Sequence, residues 1–160
     1  MNQKLNKSNK LNLRNARSRN QKKRMTLSVK NDICIFCKDG LKTIHKKPIL
    51  KENNNFLVTE NAFSYTGTSY HLLIIPKRHI VNLIEFKSEE WAVLQEIINW
   101  VIQKKRIKGG SLFLRFGDNK YNGGTIPHLH FQIILGNSSE FDSLDCRKKL
   151  KVTLGWQKKL

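Results

Sequence analysis

The sequence predicts an α+β domain, an antiparallel β-sheet with one long helix, preceded by a disordered basic N-terminal tail. Three observations lead there. From His128 to Ile133 the polar residues His128, His130 and Gln132 take every second position, the side-chain period of a strand with one face in the core. Val93, Leu94, Ile97, Ile98, Val101 and Ile102 recur at helical spacing and form one apolar stripe. Of 30 Lys and Arg, ten fall in residues 1–30 and six in 146–160, with no acid in either stretch, so a nearly neutral middle carries two basic ends. The organisation expected is a basic extension at 1–30, one domain at 31–145 and a basic segment at 146–160.

A chain of 160 residues can bury a real core. It has no run of eighteen apolar residues, so no membrane span is expected. The first thirty residues lack the apolar centre of a signal peptide. Three cysteines, Cys34, Cys37 and Cys146, are an odd number and argue against a secreted disulfide framework, which makes a reducing cytoplasm the simplest setting.

The first element in order is the extension, rich in Asn, Lys, Arg and Gln with scattered Leu and no sustained period. Too little apolar surface is available there to offset ordering entropy, so disorder is expected. Its charge suits RNA, anionic lipid or an acidic partner, although it lacks aromatics that would stack on single-stranded bases. A merely solubilising extension fits equally well. Cys34 and Cys37 are spaced to share a tetrahedral zinc if two further ligands arrive. A redox dithiol or two buried, inert thiols are the other readings. The redox form needs a preceding strand that the sequence does not show. His45, in Lys-Thr-Ile-His-Lys-Lys, reads as exposed, with a spare role as fourth ligand.

Phe56–Thr59 and His71–Ile75 read as strands, the second stopped by Pro76, which has no ladder donor. The turn-rich loop Asn61–Ser69 between them is expected at the edge of a site. Ser88 is positioned to cap a helix, Glu89 and Glu90 suit its positive end, Lys104 to Arg106 its negative end, and Gly109-Gly110 would terminate it. Trp91 and Trp100 read as core or interface residues. Ser111–Phe116 is the next strand. Asn122-Gly-Gly-Thr125 then forms a loop whose backbone N–H groups can approach an anion, ahead of the strand carrying His128, His130 and Gln132. After Leu135 the pattern dissolves, apart from a short segment around Phe141 and Leu144. Val152, Leu154 and Trp156 suggest a returning edge strand.

Gly-Gly-Thr-Ile-Pro-His-Leu-His-Phe-Gln132 resembles the signature of the histidine triad (HIT) superfamily, His-x-His-x-His with apolar x. His71-Leu-Leu-Ile-Ile-Pro-Lys-Arg-His79 is similar to that family's earlier "His, apolar run, Pro-Lys-x-His" strand, and Cys34-Ile-Phe-Cys37 to its N-terminal Cys-x-x-Cys. The three segments stand in the family's order across roughly residues 32 to 136. The resemblance implies a HIT-like domain, commonly a homodimer. It implies His130 as a nucleophile taking a nucleoside monophosphate as a phosphoramidate, with a backbone carbonyl orienting the ring. By the same resemblance Asn122, Gly123, Gly124 and Thr125 would hold phosphate, His71 would line the pocket, and Cys34, Cys37, His79 and His128 would bind a structural zinc.

Gln132 departs from the triad. An amide can donate to a phosphate oxygen but cannot act as an acid near neutral pH. His-x-His-x-Gln members are transferases and phosphorylases, so the variant resembles the diadenosine tetraphosphate phosphorylase and hexose-1-phosphate uridylyltransferase branch. Expected substrates are dinucleoside polyphosphates or nucleotide sugars, with phosphate or a sugar phosphate as acceptor. The alternatives are a HIT-type hydrolase with the same first step and a nucleic-acid-associated module acting through the basic tails.

Overall fold

Strand alternation divides the molecule into two cores, one on each face of a single sheet. The computed structural model describes residues 11–137 and 151–152. Its elements are helix α1 (Arg19–Asn31), a short turn α2 (Lys38–Gly40) that runs into one π turn (Leu41–His45), β1 (Ile49–Glu52), β2 (Phe56–Glu60), β3 (Thr68–Pro76), α3 (Ser88–Lys105), β4 (Ser111–Arg115), a short α4 (Asn119–Asn122) and β5 (His130–Gly136). The five strands are antiparallel in the order β1-β2-β3-β5-β4.

On one face Phe56, Val58, Leu72, Ile74, Phe131 and Ile133 meet Leu94, Ile97 and Val101 of α3. Each such side chain removed from water contributes about 1.5–3 kcal/mol, so this face holds most of the apolar stabilisation. On the other face Leu57, Leu73 and Ile75 meet Met25 of α1 together with Ile35, Phe36 and Ile44. Gln132 pairs with Leu73 and His130 with Arg115, which puts both polar residues of β5 on this second face. The face expected to be merely polar is therefore covered, by the N-terminal segment and the Cys34–Cys37 turn.

That cover corrects the expectation of disorder for the described part of the extension; residues 1–10 lie outside the described residues. Ser18 caps α1 by accepting from the Gln21 N–H at 3.1 Å, Asp32 closes it in the left-handed conformation, and the Ser28 hydroxyl donates to the Ile33 carbonyl. Arg24 donates to the His45 carbonyl at 3.0 Å and Arg17 to that of Phe63. Polar bonds to distant carbonyls and one fully buried Met25 leave no apolar period in the sequence. Deleting residues 1–31 is expected to uncover Ile35, Phe36, Leu57, Leu73 and Ile75 and to lower the melting temperature by about 10 °C or more. Thermal denaturation of the shortened chain checks this, and a midpoint within about 2 °C of the full chain contradicts it.

Three smaller corrections concern boundaries. Edge strand β1 was not expected, because Ile-Leu-Lys-Glu shows neither alternation nor burial. Ser88 is the first helical residue rather than the cap, and the Glu90 carboxylate accepts the Lys87 N–H at 2.8 Å. Arg106, at φ 51°, ends α3 ahead of Gly109. The segment around Phe141 and Leu144, Cys146, Leu154 and Trp156 lie outside the described residues. Among the described residues no helix is long and apolar enough to cross a membrane.

Candidate active site and metal centre

Strand β5 begins at His130, whose Nδ1 lies 2.7 Å from the His128 carbonyl. A carbonyl only accepts, so Nδ1 carries the proton and Nε2 keeps its lone pair. Burial pushes His130 down to about 4, against the bond to His128, which raises it. The ring is thus a neutral base with a fixed tautomer, and the edge contact of Phe36 at 4.9 Å between centroids holds its plane.

His71 and Gln132 form the next layer. The Tyr65 N–H donates to His71 Nδ1 at 3.3 Å, placing the proton on Nε2, which donates to Gln132 Oε1 at 2.9 Å. Asn61 Oδ1 accepts the Phe63 N–H at 2.9 Å, and its Nδ2, a donor like the protonated His71 Nε2, abuts that nitrogen without bonding to it. Burial lowers His71 to about 4, and the Tyr65 ring stacks on it at 4.8 Å. With Oε1 engaged, the Gln132 amide N–H groups remain for a bound group. His71 stands behind Gln132 rather than on the cavity wall.

The loop after α4 is built to be tight. Asn122 Oδ1 accepts the Gly124 N–H at 2.7 Å and Asn122 Nδ2 donates to the Phe116 carbonyl at 2.8 Å. A Cβ on Gly124 would fall 2.7 Å from the Asn119 and Asn122 side-chain oxygens, so a larger residue there must push both amides aside. Asn122 therefore shapes the loop instead of reaching the cavity, and the Gly124 amide is turned to it. From the N-terminal segment, Asn15 donates to the Gly124 carbonyl at 2.6 Å and the Asn12 N–H to that of Thr125 at 3.1 Å. Arg115, beside His130 in the sheet, donates to the Asn122 carbonyl at 2.8 Å and the Tyr65 hydroxyl at 3.2 Å.

These pieces enclose a cavity of about 310 Å³. His130, Gln132, Gly123, Gly124 and Thr125 line one side, and Met25, Ile35, Phe36, Ile44 and Phe63 form an apolar wall. Arg14, Arg17, Arg24 and Arg115 also line it, with no carboxylate among the described lining residues. The sequence offered no signal for the three arginines of the N-terminal segment, since they sit in a stretch without a period. Asn61 and Tyr65, in contrast, lie in the loop expected at the site's edge.

Beneath β5, Cys34, Cys37, His79 and His128 bring their ligand atoms within 4.8 Å of one another. His128 Nε2 donates to the Pro76 carbonyl at 2.9 Å, which frees Nδ1 to face the cysteines. The separations are 3.4 Å for Cys34 Sγ–His128 Nδ1, 3.4 Å for Cys37 Sγ–His79 Nδ1 and 3.6 Å for Cys37 Sγ–His128 Nδ1. Zn–S near 2.3 Å and Zn–N near 2.0 Å in a tetrahedron put S and N about 3.5 Å apart, so this donor set fits zinc. The bond between the two thiols lowers Cys34 and raises Cys37.

Two features position the cluster. A Cβ on Gly40 would fall 2.0 Å from the Cys34 carbonyl oxygen, so the turn closes only with glycine. Arg78 grips Glu90 of α3 through two bonds of 2.7 and 2.6 Å, anchoring the segment that carries His79. His45, read as exposed and as a spare ligand, is buried instead: its Nε2 lies 3.1 Å from the Thr59 hydroxyl, and burial pushes it down to about 4. The π turn rotates it inward, and it lines the cavity rather than joining the cluster.

The family described as "Scavenger mRNA decapping enzyme C-term binding" matches residues 33–146. An uncharacterized HIT-like protein of Chlamydia muridarum (strain MoPn / Nigg) is 31% identical over 88 residues, covering 53% of this chain and 68% of that protein. A HIT family hydrolase from Clostridium thermocellum is similar in structure at 28% identity and a TM-score of 0.51, over 72% of this chain and 95% of that one. A zinc-bound histidine triad family protein from Mycobacterium smegmatis shares the fold at 23% identity and a TM-score of 0.53, over 72% and 82% of the two chains.

Proposed function

The chain belongs to the histidine triad superfamily, and on that premise we propose that it moves a nucleoside monophosphate through a covalent nucleotidyl-His130 to phosphate or a sugar phosphate. The observation that carries this reading is the His130 ring, its Nδ1–H held by the His128 carbonyl and its Nε2 lone pair left to attack. The lone pair forms a P–N bond as the bond from phosphorus to the leaving oxygen breaks. The acceptor oxygen then attacks the same phosphorus, and the electron pair returns to Nε2. The Gln132 amide, with Gly123 and Thr125, supplies donors for the phosphate oxygens. The apolar wall of Met25, Ile35, Phe36 and Phe63 suits the flat face of a base.

Hydrolysis through the same adduct is the second reading, favoured by the likeness to the Clostridium thermocellum protein named a hydrolase. Nucleic-acid binding by the N-terminal segment loses ground, because Arg14, Arg17 and Arg24 line the cavity. We assign the Cys34, Cys37, His79 and His128 set to a structural zinc, with the protein in a reducing cytoplasm where the thiols stay free. A Cys₂His₂ set closes the tetrahedron, so the metal supplies anchoring and not chemistry. Exposed Leu112 on edge strand β4, with Phe116 just beyond it, gives a homodimer a surface.

Incubation with a panel of labelled dinucleoside polyphosphates and nucleotide sugars, without acceptor, tests the function. Intact mass should rise by one nucleoside monophosphate, in a bond labile to acid and stable in mild base. Gln132→His is expected to keep adduct formation while shifting the partition from acceptor toward water by roughly tenfold, since an imidazole can move a proton to or from water. Unchanged partition in product analysis breaks the link between glutamine and transfer.

A further inference from the structure

We infer that residues 11–31, which precede the family match, form part of the substrate site, and that Arg14, Arg17 and Arg24 hold the phosphates of a polyphosphate leaving group. The inference rests on the nucleotidyl-His130 reading and names the class of leaving group. All three side chains line the cavity that His130 lines, on the side supplied by the N-terminal segment. Arg17 donates to the Phe63 carbonyl and lies 4.1 Å above the Tyr65 ring, while Arg24 donates to the His45 carbonyl and lies 5.1 Å above Phe63. Carbonyls and ring faces orient a guanidinium but leave its charge. Burial of Arg17 disfavours its charged form, partly offset by the Tyr65 hydroxyl, and the nearby Arg115 adds repulsion. Several like charges around one cavity, with no carboxylate among the described lining residues, are best relieved by a ligand carrying more than one negative charge.

The segment is also tied to the anion loop itself. Asn12 and Asn15 bond to the carbonyls of Thr125 and Gly124, so the arginines are placed relative to the phosphate that His130 attacks. A second, independent observation comes from Gln132, which cannot hand a proton to the departing oxygen. The leaving oxygen must then keep the electron pair of its bond to phosphorus and depart as an anion. A terminal phosphate oxygen, whose conjugate acid has a pKa near 6, does so readily, whereas a sugar hydroxyl or an amine does not. Attack by Nε2 on the α-phosphorus releases the remaining phosphates as an anion beside the guanidinium groups.

The test is calorimetric titration of the full chain with inorganic phosphate and with tripolyphosphate at low salt, zinc content being checked afterwards. Tripolyphosphate is expected to bind at least about tenfold tighter than phosphate. Arg17→Gln with Arg24→Gln should remove that advantage and leave phosphate affinity within about twofold. Arg14 is exposed, so Arg14→Glu perturbs the fold least and should by itself weaken tripolyphosphate on the order of tenfold. Equal binding of the two anions by the wild-type chain overturns the inference, as does a parallel loss of both in the variants. Faster turnover in Arg14→Glu also overturns it, because the segment would then be a plug. The nucleotidyl-His130 reading itself stands whichever of these outcomes is found. Loss of the adduct with tripolyphosphate binding intact would instead sink the nucleotidyl-transfer reading alone.

Discussion

His130→Ala is expected to abolish the nucleotidyl adduct and to reduce turnover on the order of 10⁵-fold or more. The size follows from the chemistry of the site. His128 has both ring nitrogens engaged, Nε2 by the Pro76 carbonyl and Nδ1 by the cysteine cluster. His71 has its Nδ1 lone pair occupied by the Tyr65 N–H and its Nε2 proton committed to Gln132. His45 is held at the Thr59 hydroxyl. His130 lines the cavity with a fixed tautomer and an unclaimed lone pair, next to the loop of Gly123, Gly124 and Thr125 that shares the same wall. Removing His130 leaves a binding site without a nucleophile, so nucleotide affinity should fall far less than rate. Intact mass after incubation with the best substrate reads the result directly. An adduct that persists in His130→Ala moves the nucleophile elsewhere, with His71 the next residue to test.

Most of the sheet and the main helix were legible because their apolar residues obey a period. The stripe from Val93 to Val101 and the apolar half of the alternation from His128 to Ile133 pack into the same core on one face of the sheet, and burial is what a period records. The N-terminal segment was not legible for the complementary reason. Arg17, Arg24 and Asn15 each fix it to a carbonyl far away in the sequence, and such bonds leave no periodic trace. His45 was misread because Lys42, Lys46 and Lys47 around it suggest solvent, while the π turn alone decides that it and Ile44 face inward. In the candidate site, spacing alone singled out Cys34 with Cys37 and the alternating His128, His130 and Gln132, whereas the role of His130 and the joining of His79 and His128 to the cysteines came from the family resemblance. The role of Asn122 could not be read, because a side chain that bonds its own loop and one that bonds a ligand read identically in sequence.

Cys37→Ser, or removal of metal by a strong chelator, is expected to cost folding stability first and activity only through it. The cluster joins three parts of the chain: the Cys34–Cys37 turn, the end of the Pro76–His79 segment and the approach to β5. Binding of a structural zinc by such a set is worth on the order of 10 kcal/mol, comparable with the whole stability of a domain this size. Losing one ligand of four should therefore lower the melting temperature by about 10 °C or more, and the variant should melt independently of added zinc. His128 transmits the effect to the site. Its Nδ1 faces the cysteines, its Nε2 holds the Pro76 carbonyl, and its own carbonyl orients His130. Metal loss frees the ring, loosens that carbonyl and blurs the tautomer on which attack depends. Metal analysis of protein purified without added metal should find about one zinc per chain. Zinc-free protein with a Cys34–Cys37 disulfide and an undiminished melting temperature would sink the assignment and return the pair to redox chemistry.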